Sequence, residues 1–556
     1  MRISFYFTVI VAAAVLALPA TALGQREPAA QAWQLLRQAE AERDREQRLR
    51  RQRQLSPAHT TPEAAPPPPS DGLCRRVQGL RLRGNHLLSD RALQHAAEPH
   101  VTECMDTSAL NRLLSALTTA YVNAGYITAR PYLLPVPDEQ GALQVTIIEG
   151  QVEGFEVTDP DLPLSLDNAF GDLMGLPLHL PTLERGMDQL NRLRVFDLAS
   201  DIRPGATPGG SKVVVRPLSY PPRAWATVTV ANNGLAESGR YRWSAQYRVD
   251  SPLGWNDVIT ASLGHTLARD RRFNRHIGLA YAVPRGPWQL TAATSGFSYR
   301  SRIAGTRNVL YTPGRGALHY LQLERELWRS QQAIFSASAQ WNHKRMRAGL
   351  EGARLHLQRP AYDSVDLRVK ALWLGWASLS AQLRYSKGLG GWNANHGLRR
   401  KPPHAEEARF QAWGLGLGHN YASQTFGQAW QWNSEWELQY SDDRLPPMEV
   451  MALTGDFRVR GFHEANAFNQ SGAVWNNTLT FPRRYPFDLI ATPRLGFDVG
   501  IGHGQAMRSQ RLAGAAIGIN VRRGDLQLDL HYQHPLYHSR FTPRGGTWLA
   551  EVQARF

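Results

Sequence analysis

Residues 430 to 440 read Trp430-Gln431-Trp432-Asn433-Ser434-Glu435-Trp436-Glu437-Leu438-Gln439-Tyr440. In an extended chain successive side chains point to opposite faces. Trp430, Trp432, Trp436, Leu438 and Tyr440 therefore share one face, and Gln431, Asn433, Glu435, Glu437 and Gln439 share the other. The same alternation separates Leu526, Leu528, Leu530 and Tyr532 from Gln527, Asp529, His531 and Gln533. It recurs at the end of the chain, where Trp548, Ala550, Val552, Ala554 and Phe556 oppose Leu549, Glu551, Gln553 and Arg555. A soluble sandwich or propeller also alternates. Here, however, the polar faces carry charge along most of their length, Trp and Tyr lie where interfacial girdles belong, and the last residue is aromatic. These features predict a transmembrane β-barrel with lipid outside and a polar lumen. At roughly 20 residues per strand and connection, residues 219–556 give about 16 antiparallel strands, enough for a water-filled channel.

Upstream the period changes. Residues 74–150 read as a compact α+β module: a strand at Val77 to Arg83, a turn at Gly84-Asn85, a short helix after Ser89 and a longer helix capped at Asp106-Thr107. That helix aligns Leu110, Leu113, Leu114, Leu117 and Tyr121 and stops at Gly125. Strands follow at Ile127 to Leu134 and Leu143 to Glu149. Residues 151–218 repeat the pattern: a strand at Glu153 to Val157, a helix at Pro181 to Leu193, and strands near Phe196 to Ile202 and Lys212 to Arg216. Pro181 suits a helix start because its missing amide proton needs no partner there.

At the amino terminus, Arg2, an apolar stretch from Phe5 to Leu18 and small residues at Ala20 to Gly24 form an export signal over residues 1–24. Residues 25–54 are polar and helix-forming, with Trp33, Leu35 and Leu36 early and Arg48, Arg50, Arg51 and Arg53 late. This helix fits a mobile plug or a solvated linker equally well. Residues 55–73, with Pro62 and Pro66 to Pro69, form a stiff tether. In an exported chain, Cys74 and Cys104 point to a disulfide, worth about 3–4 kcal/mol in the chain-entropy model. A zinc site would recruit His100 and still lack a fourth ligand, so no metal is expected.

The quoted patterns resemble those of the two-partner secretion transporters, the TpsB family, over nearly the whole mature chain. Cys74-x5-Leu80-x-Leu82-x-Gly84, Cys104, Leu117-x3-Tyr121-x3-Gly125-Tyr126-Ile127-Thr128-x-Arg130, Gly141-x-Leu143 and Ile148-Glu149-Gly150 resemble that family's first POTRA domain. Leu183-Glu184-Arg185-Gly186, Leu190-Asn191-Arg192, Arg203-Pro204-Gly205 and Gly210-Ser211 resemble the second. Asn233-Gly234, Ser238 to Arg242 and Asp250-Ser251-Pro252-Leu253-Gly254-x-Asn256-Asp257 resemble its first barrel hairpin. Val459-Arg460-Gly461-Phe462 is similar to the tip of an extracellular loop folded into the lumen, and Gly496-Phe497-Asp498-Val499-Gly500 to the wall motif that receives it. The resemblance implies a fork of Arg460 on Asp498, a sharp turn at Gly461 and packing of Phe462 beside the pair. It also implies recognition of a large secreted exoprotein by the POTRA domains, its export across the outer membrane without ATP, and a plug helix carrying Trp33, Leu36 and Arg48. Trp548 and Phe556 are read as the carboxy-terminal signal for the barrel-assembly machinery.

No phosphate-binding loop or hydrolytic constellation is visible. Gly205 to Lys212 lacks the G-x4-G-K-[ST] spacing, and Gly414-x-Gly416-x-Gly418 lies in strand sequence. No enzyme activity or cofactor is therefore expected. An assembly factor of the same superfamily and a passive porin are the rival classes. The former usually carries more POTRA domains, and the latter has no need of Arg460 and Asp498. The chain has 556 residues, 42% hydrophobic, with 63 Lys and Arg against 47 Asp and Glu and a formal charge of +16. Its pI of about 10.1 would suit nucleic acid. Export argues against that partner, and the excess is assigned to lumen, loops and helix, predicting an anion-preferring pore. Past residue 24 no run of about 18 apolar residues occurs, which excludes helical membrane spans. A monomer working in outer-membrane lipid, with residues 74–218 in the periplasm, is the expected state.

Overall fold

The computed structural model describes residues 75–134, 141–268, 270–304, 309–350, 353–354, 361–390, 408–455, 458–462, 467–504, 507–539 and 545–556. The residues expected to form the export signal, the helix with Trp33, Leu36 and Arg48 and the Pro-rich tether, and Cys74, lie outside them.

The first module is a three-stranded sheet under two helices. Strand Ala142–Ile148 runs between Gly79–Arg83, to which it is parallel, and Arg130–Leu133, to which it is antiparallel. Ser89 caps helix Asp90–Ala97 and Asp106 caps helix Thr107–Asn123, each accepting from a backbone amide. Leu110, Leu113, Leu117 and Tyr121 are buried against Leu143, Val145 and Ile147, as the helical spacing requires. The strand expected from Ile127 starts only at Arg130. Bonds from the Tyr126 amide to the Tyr121 carbonyl and from the Ala129 amide to the Tyr126 carbonyl keep that stretch in turns. The second module repeats the topology: Gly210–Ser219 is central, parallel to Gln151–Val157 and antiparallel to Asp197–Pro204. Its helix Leu180–Asn191 carries Pro181 in the first turn and buries Leu183 and Leu190.

Among the described residues, sixteen long antiparallel strands close a barrel, and two short pairings, Ala353–Arg354 and Arg483–Tyr485, extend hairpins. Closure joins the first strand, Ala224–Ala231, to the last, Thr547–Arg555. The end facing the modules has tight turns, such as Gly286-Pro287 and Phe426-Gly427, and the far end has the long connections. Trp432, Trp436, Leu438 and Tyr440 are exposed on the outer face, as the alternation predicts. Gly414, Gly416 and Gly418 form a lumen row opposite Arg384, Gln382 and Ser380 on one neighbouring strand and Gln439, Glu437 and Glu435 on the other. Their bare backbone leaves room for Arg384 to reach across Gly414 and donate to Gln439 (3.1 Å).

Candidate functional site

The connection after Tyr440 does not stay outside the barrel. It folds inward, pairs Met451–Ala452 with Phe468–Asn469, and returns to the wall at strand Ser471–Thr480. Bonds from the Val459 amide to the Leu453 carbonyl (3.0 Å) and from the Leu453 amide to the Ala467 carbonyl (2.8 Å) stiffen its lower part.

Arg460 lies at its tip. Its Nε and Nη2 donate to Oδ2 and Oδ1 of Asp498 at 2.6 Å each, and its backbone amide adds a third bond to Oδ2 (3.0 Å). Nη2 also reaches the Asn477 carbonyl (2.6 Å), and Nη1 reaches Thr478 Oγ1 (3.1 Å). Asp498 is fully buried, and the Arg460 side chain is 12% exposed. Such a pair is stable only with every partner in place, because each unpaired charge would carry its full desolvation cost.

Glycines shape the seat. Gly461 has φ of 90°, and a Cβ there would lie 2.6 Å from the His534 carbonyl oxygen. Its amide donates to Gln533 Oε1 (2.9 Å). A Cβ on Gly514 would overlap the Arg460 carbonyl, one on Gly496 the Arg460 guanidinium, and one on Gly500 would come 2.7 Å from Val459. Phe462 enters an apolar cluster with Met451, Leu453, Val459, Val474 and Leu512.

The structure thus brings together Val459, Arg460, Gly461 and Phe462 with Gly496, Asp498 and Gly500. Phe497 points the other way and is exposed on the outer face. Trp548 and Phe556 are exposed outside the barrel, the former with its ring centroid 5.3 Å from that of Tyr532. Cys104 is disulfide-bonded. Sequence reasoning missed Thr478, Gln533 and Gly514; only the glycine, unexpected inside a strand, carried a readable signal.

The modules dock on the barrel through the hairpin around Ser251 to Asp257, in which Asp250, Ser251, Asn256 and Asp257 are fully buried. Asn256 accepts from the Ser165 amide (2.8 Å) and donates to the Ser165 carbonyl (2.7 Å), pairing like a peptide group. Asp250 accepts from the Arg194 amide (2.6 Å), and Asn168 donates to the Trp255 carbonyl (3.0 Å). Arg329, nearly buried, pairs with Asp188 and Glu184 of the second module. Between the modules, the Leu180 amide donates to the Gly125 carbonyl (2.8 Å) and the His179 ring packs on Tyr126, centroids 5.1 Å apart. Burial holds the His179 imidazole below its usual pKa, and Arg185 adds to the effect.

A closed barrel of this size, with an inward loop held by a buried Arg and two α+β modules at its inner mouth, defines an outer-membrane transporter whose POTRA domains lie in the periplasm. The chain belongs to the haemolysin secretion/activation protein ShlB/FhaC/HecB family, whose model matches residues 209–521, and ShlB-type POTRA and POTRA models match residues 76–150 and 151–204. It is 31% identical over 506 residues to the hemolysin transporter protein ShlB of Serratia marcescens, covering 87% of each chain. To the hemolysin transporter protein HpmB of Proteus mirabilis it is 30% identical over 472 residues, 84% of this chain and 83% of that one. The solved structure of CdiB from Escherichia coli superposes with a TM-score of 0.85 over 96% of this chain and all of that one, at 22% identity, a likeness of fold.

Proposed function

We propose that this protein recognises a large, β-rich secreted partner in the periplasm through its POTRA domains and passes it unfolded through the barrel, without ATP, to fold outside. The observation that carries the reading is the Arg460–Asp498 pair in a barrel of this family: a passive pore has no use for a loop drawn into its lumen and held by a buried charge. POTRA sheets offer edges that an extended segment can join by β-augmentation. Folding of the partner at the cell surface supplies the thermodynamic pull. The work is transport, with no catalytic step, cofactor or nucleic acid.

In this reading residues 1–24 are removed on export, residues 25–54 plug the resting pore through Trp33, Leu36 and Arg48, and residues 55–73 leash the plug. POTRA 1 spans 74–150, POTRA 2 spans 151–218 and the barrel 219–556. Cys74 closes the disulfide with Cys104, and Trp548 and Phe556 present the finished strand to the barrel-assembly machinery. The protein acts as a monomer in outer-membrane lipid.

The test is co-expression with a large, repeat-rich secreted protein from a neighbouring reading frame. Export by the full chain, lost on deletion of residues 74–150 while the barrel still inserts, is expected. Equal export without that module would overturn the recognition step. Unchanged conductance after deletion of residues 29–54 would overturn the plug.

A further inference from the structure

The lumen face of the barrel is polar in most places, yet near the outer mouth it carries Phe297, Tyr299 and Tyr362, all buried, on strands whose neighbours project Leu318 and Met346 inward, with buried Phe410 just before strand Gln411–Thr425. A water-filled channel gains nothing from such a patch, because apolar surface is stabilised only by being covered. What covers it is the upper part of the inward loop: Leu445 and Met448 insert into the patch, and Met448 is fully buried.

Next to this socket, Glu449 of the loop meets two wall residues. Tyr362 Oη donates to Glu449 Oε1 (2.9 Å), and Lys344 Nζ forms an ion pair with the same oxygen. Both charged side chains are nearly buried, at 7% and 8% exposure, so the pair is shielded from lumen water. Gln439 Nε2 donates to the Glu449 carbonyl (2.9 Å) and to the Gln470 carbonyl (3.1 Å), tying the descending and ascending limbs of the loop to one wall amide. Arg384 holds that amide from the other side.

We infer that Leu445, Met448 and Glu449, seated on Tyr362 and Lys344, form a second anchor that holds the loop in the lumen independently of Arg460. The socket lies on wall strands from Trp288–Ala304 to Gln411–Thr425, and the tip sits on those from Ser471–Thr480 to Leu526–His538. The loop is therefore a bar fixed at two places on different sectors of the wall. Releasing Arg460 alone frees the tip while the root stays attached, so the mouth anchor acts as the hinge. Lys344, Tyr362 and Glu449 are positioning residues of the transport path.

The inference rests on the transport reading, and its readout does not use export. Intact cells carrying the full chain are treated with trypsin, and cuts after Arg444 are identified by mass spectrometry, while heat-modifiable mobility reports that the barrel is folded. Glu449→Ala and Met448→Ala should each raise cutting after Arg444 by about tenfold, as expected when a local closed state loses its anchoring contacts. Arg460→Ala alone should leave Arg444 protected, because the root of the loop stays attached. The exchanged pair Lys344→Glu with Glu449→Lys should restore protection, which a merely damaged loop would not regain. Wild-type cutting in both Glu449→Ala and Met448→Ala, or an exchanged pair that folds and stays exposed at Arg444, would overturn the second anchor. Absence of export by the wild type, with the protection pattern as described, would count against the transport reading alone.

Discussion

At the scale of single residues, the most consequential arrangement is a carboxylate with no exposure facing a guanidinium it can neither escape nor replace. Asp498 takes Nε, Nη2 and the backbone amide of Arg460 together, so the loop tip is fixed in orientation as well as position. Removing either partner should cost about 3–5 kcal/mol at this seat, the range for breaking a buried pair. Arg460→Ala and Asp498→Ala are each expected to lower export strongly while the barrel inserts normally; an exoprotein secretion assay with wild-type yield from both would refute the role. Arg460→Lys keeps the charge and loses the fork, so it should fall between. Gly514→Ala tests the seat without touching either charge. Its new methyl would overlap the Arg460 carbonyl, so it should reproduce much of the Arg460→Ala defect, whereas Gly545→Ala, with open space around it, should export normally.

At the scale of elements, the two joints differ in chemistry. The joint between the second module and the barrel combines the ion pairs of Arg329 with hydrogen bonds to backbone, in which Asn256 stands in for a peptide. Asn256→Ala leaves the Ser165 amide and carbonyl unpaired, a cost of about 1–3 kcal/mol, and should raise hydrogen exchange across residues 163–168. The joint between modules contains a titratable ring. The folded pKa of His179 is depressed below its ordinary 6.5, so the folded state binds fewer protons. Its contribution is complete above pH 6.5 and is lost as pH falls through the depressed value. The protection factor of the Leu180 amide, bonded to the Gly125 carbonyl, should therefore fall on mild acidification once the intrinsic exchange rate is divided out, and His179→Gln should flatten that dependence.

At the scale of the whole molecule, the period-two alternation from Trp430 to Tyr440 assigned lipid and lumen faces because it is local to each strand. The pairing register was not readable, since sliding a strand by two residues preserves every face. The path of the loop was hidden for a related reason: Lys344 and Glu449, or Gly461 and Gln533, meet only after the barrel has closed. Closure itself rests on the shortest of the long seams. Five register pairs, from Arg555 with Thr227 to Glu551 with Ala231, join last strand to first, against seventeen between Trp288–Ala304 and its partner. Phe556 extends that seam by two backbone bonds to Ala226, at 2.9 and 3.0 Å. With each such bond contributing about 1 kcal/mol net, deleting Phe556 removes a sizeable share of the closing interaction. An unclosed barrel also exposes two strand edges to lipid, where unpaired backbone is far costlier than in water. Deletion of Phe556 should therefore lower the fraction of chains that reach the heat-modifiable folded form. Phe556→Ala, which keeps the backbone bonds and loses the ring, separates closure from any role of the aromatic group in assembly. If both variants fold as fully as the wild type, the seam is held elsewhere.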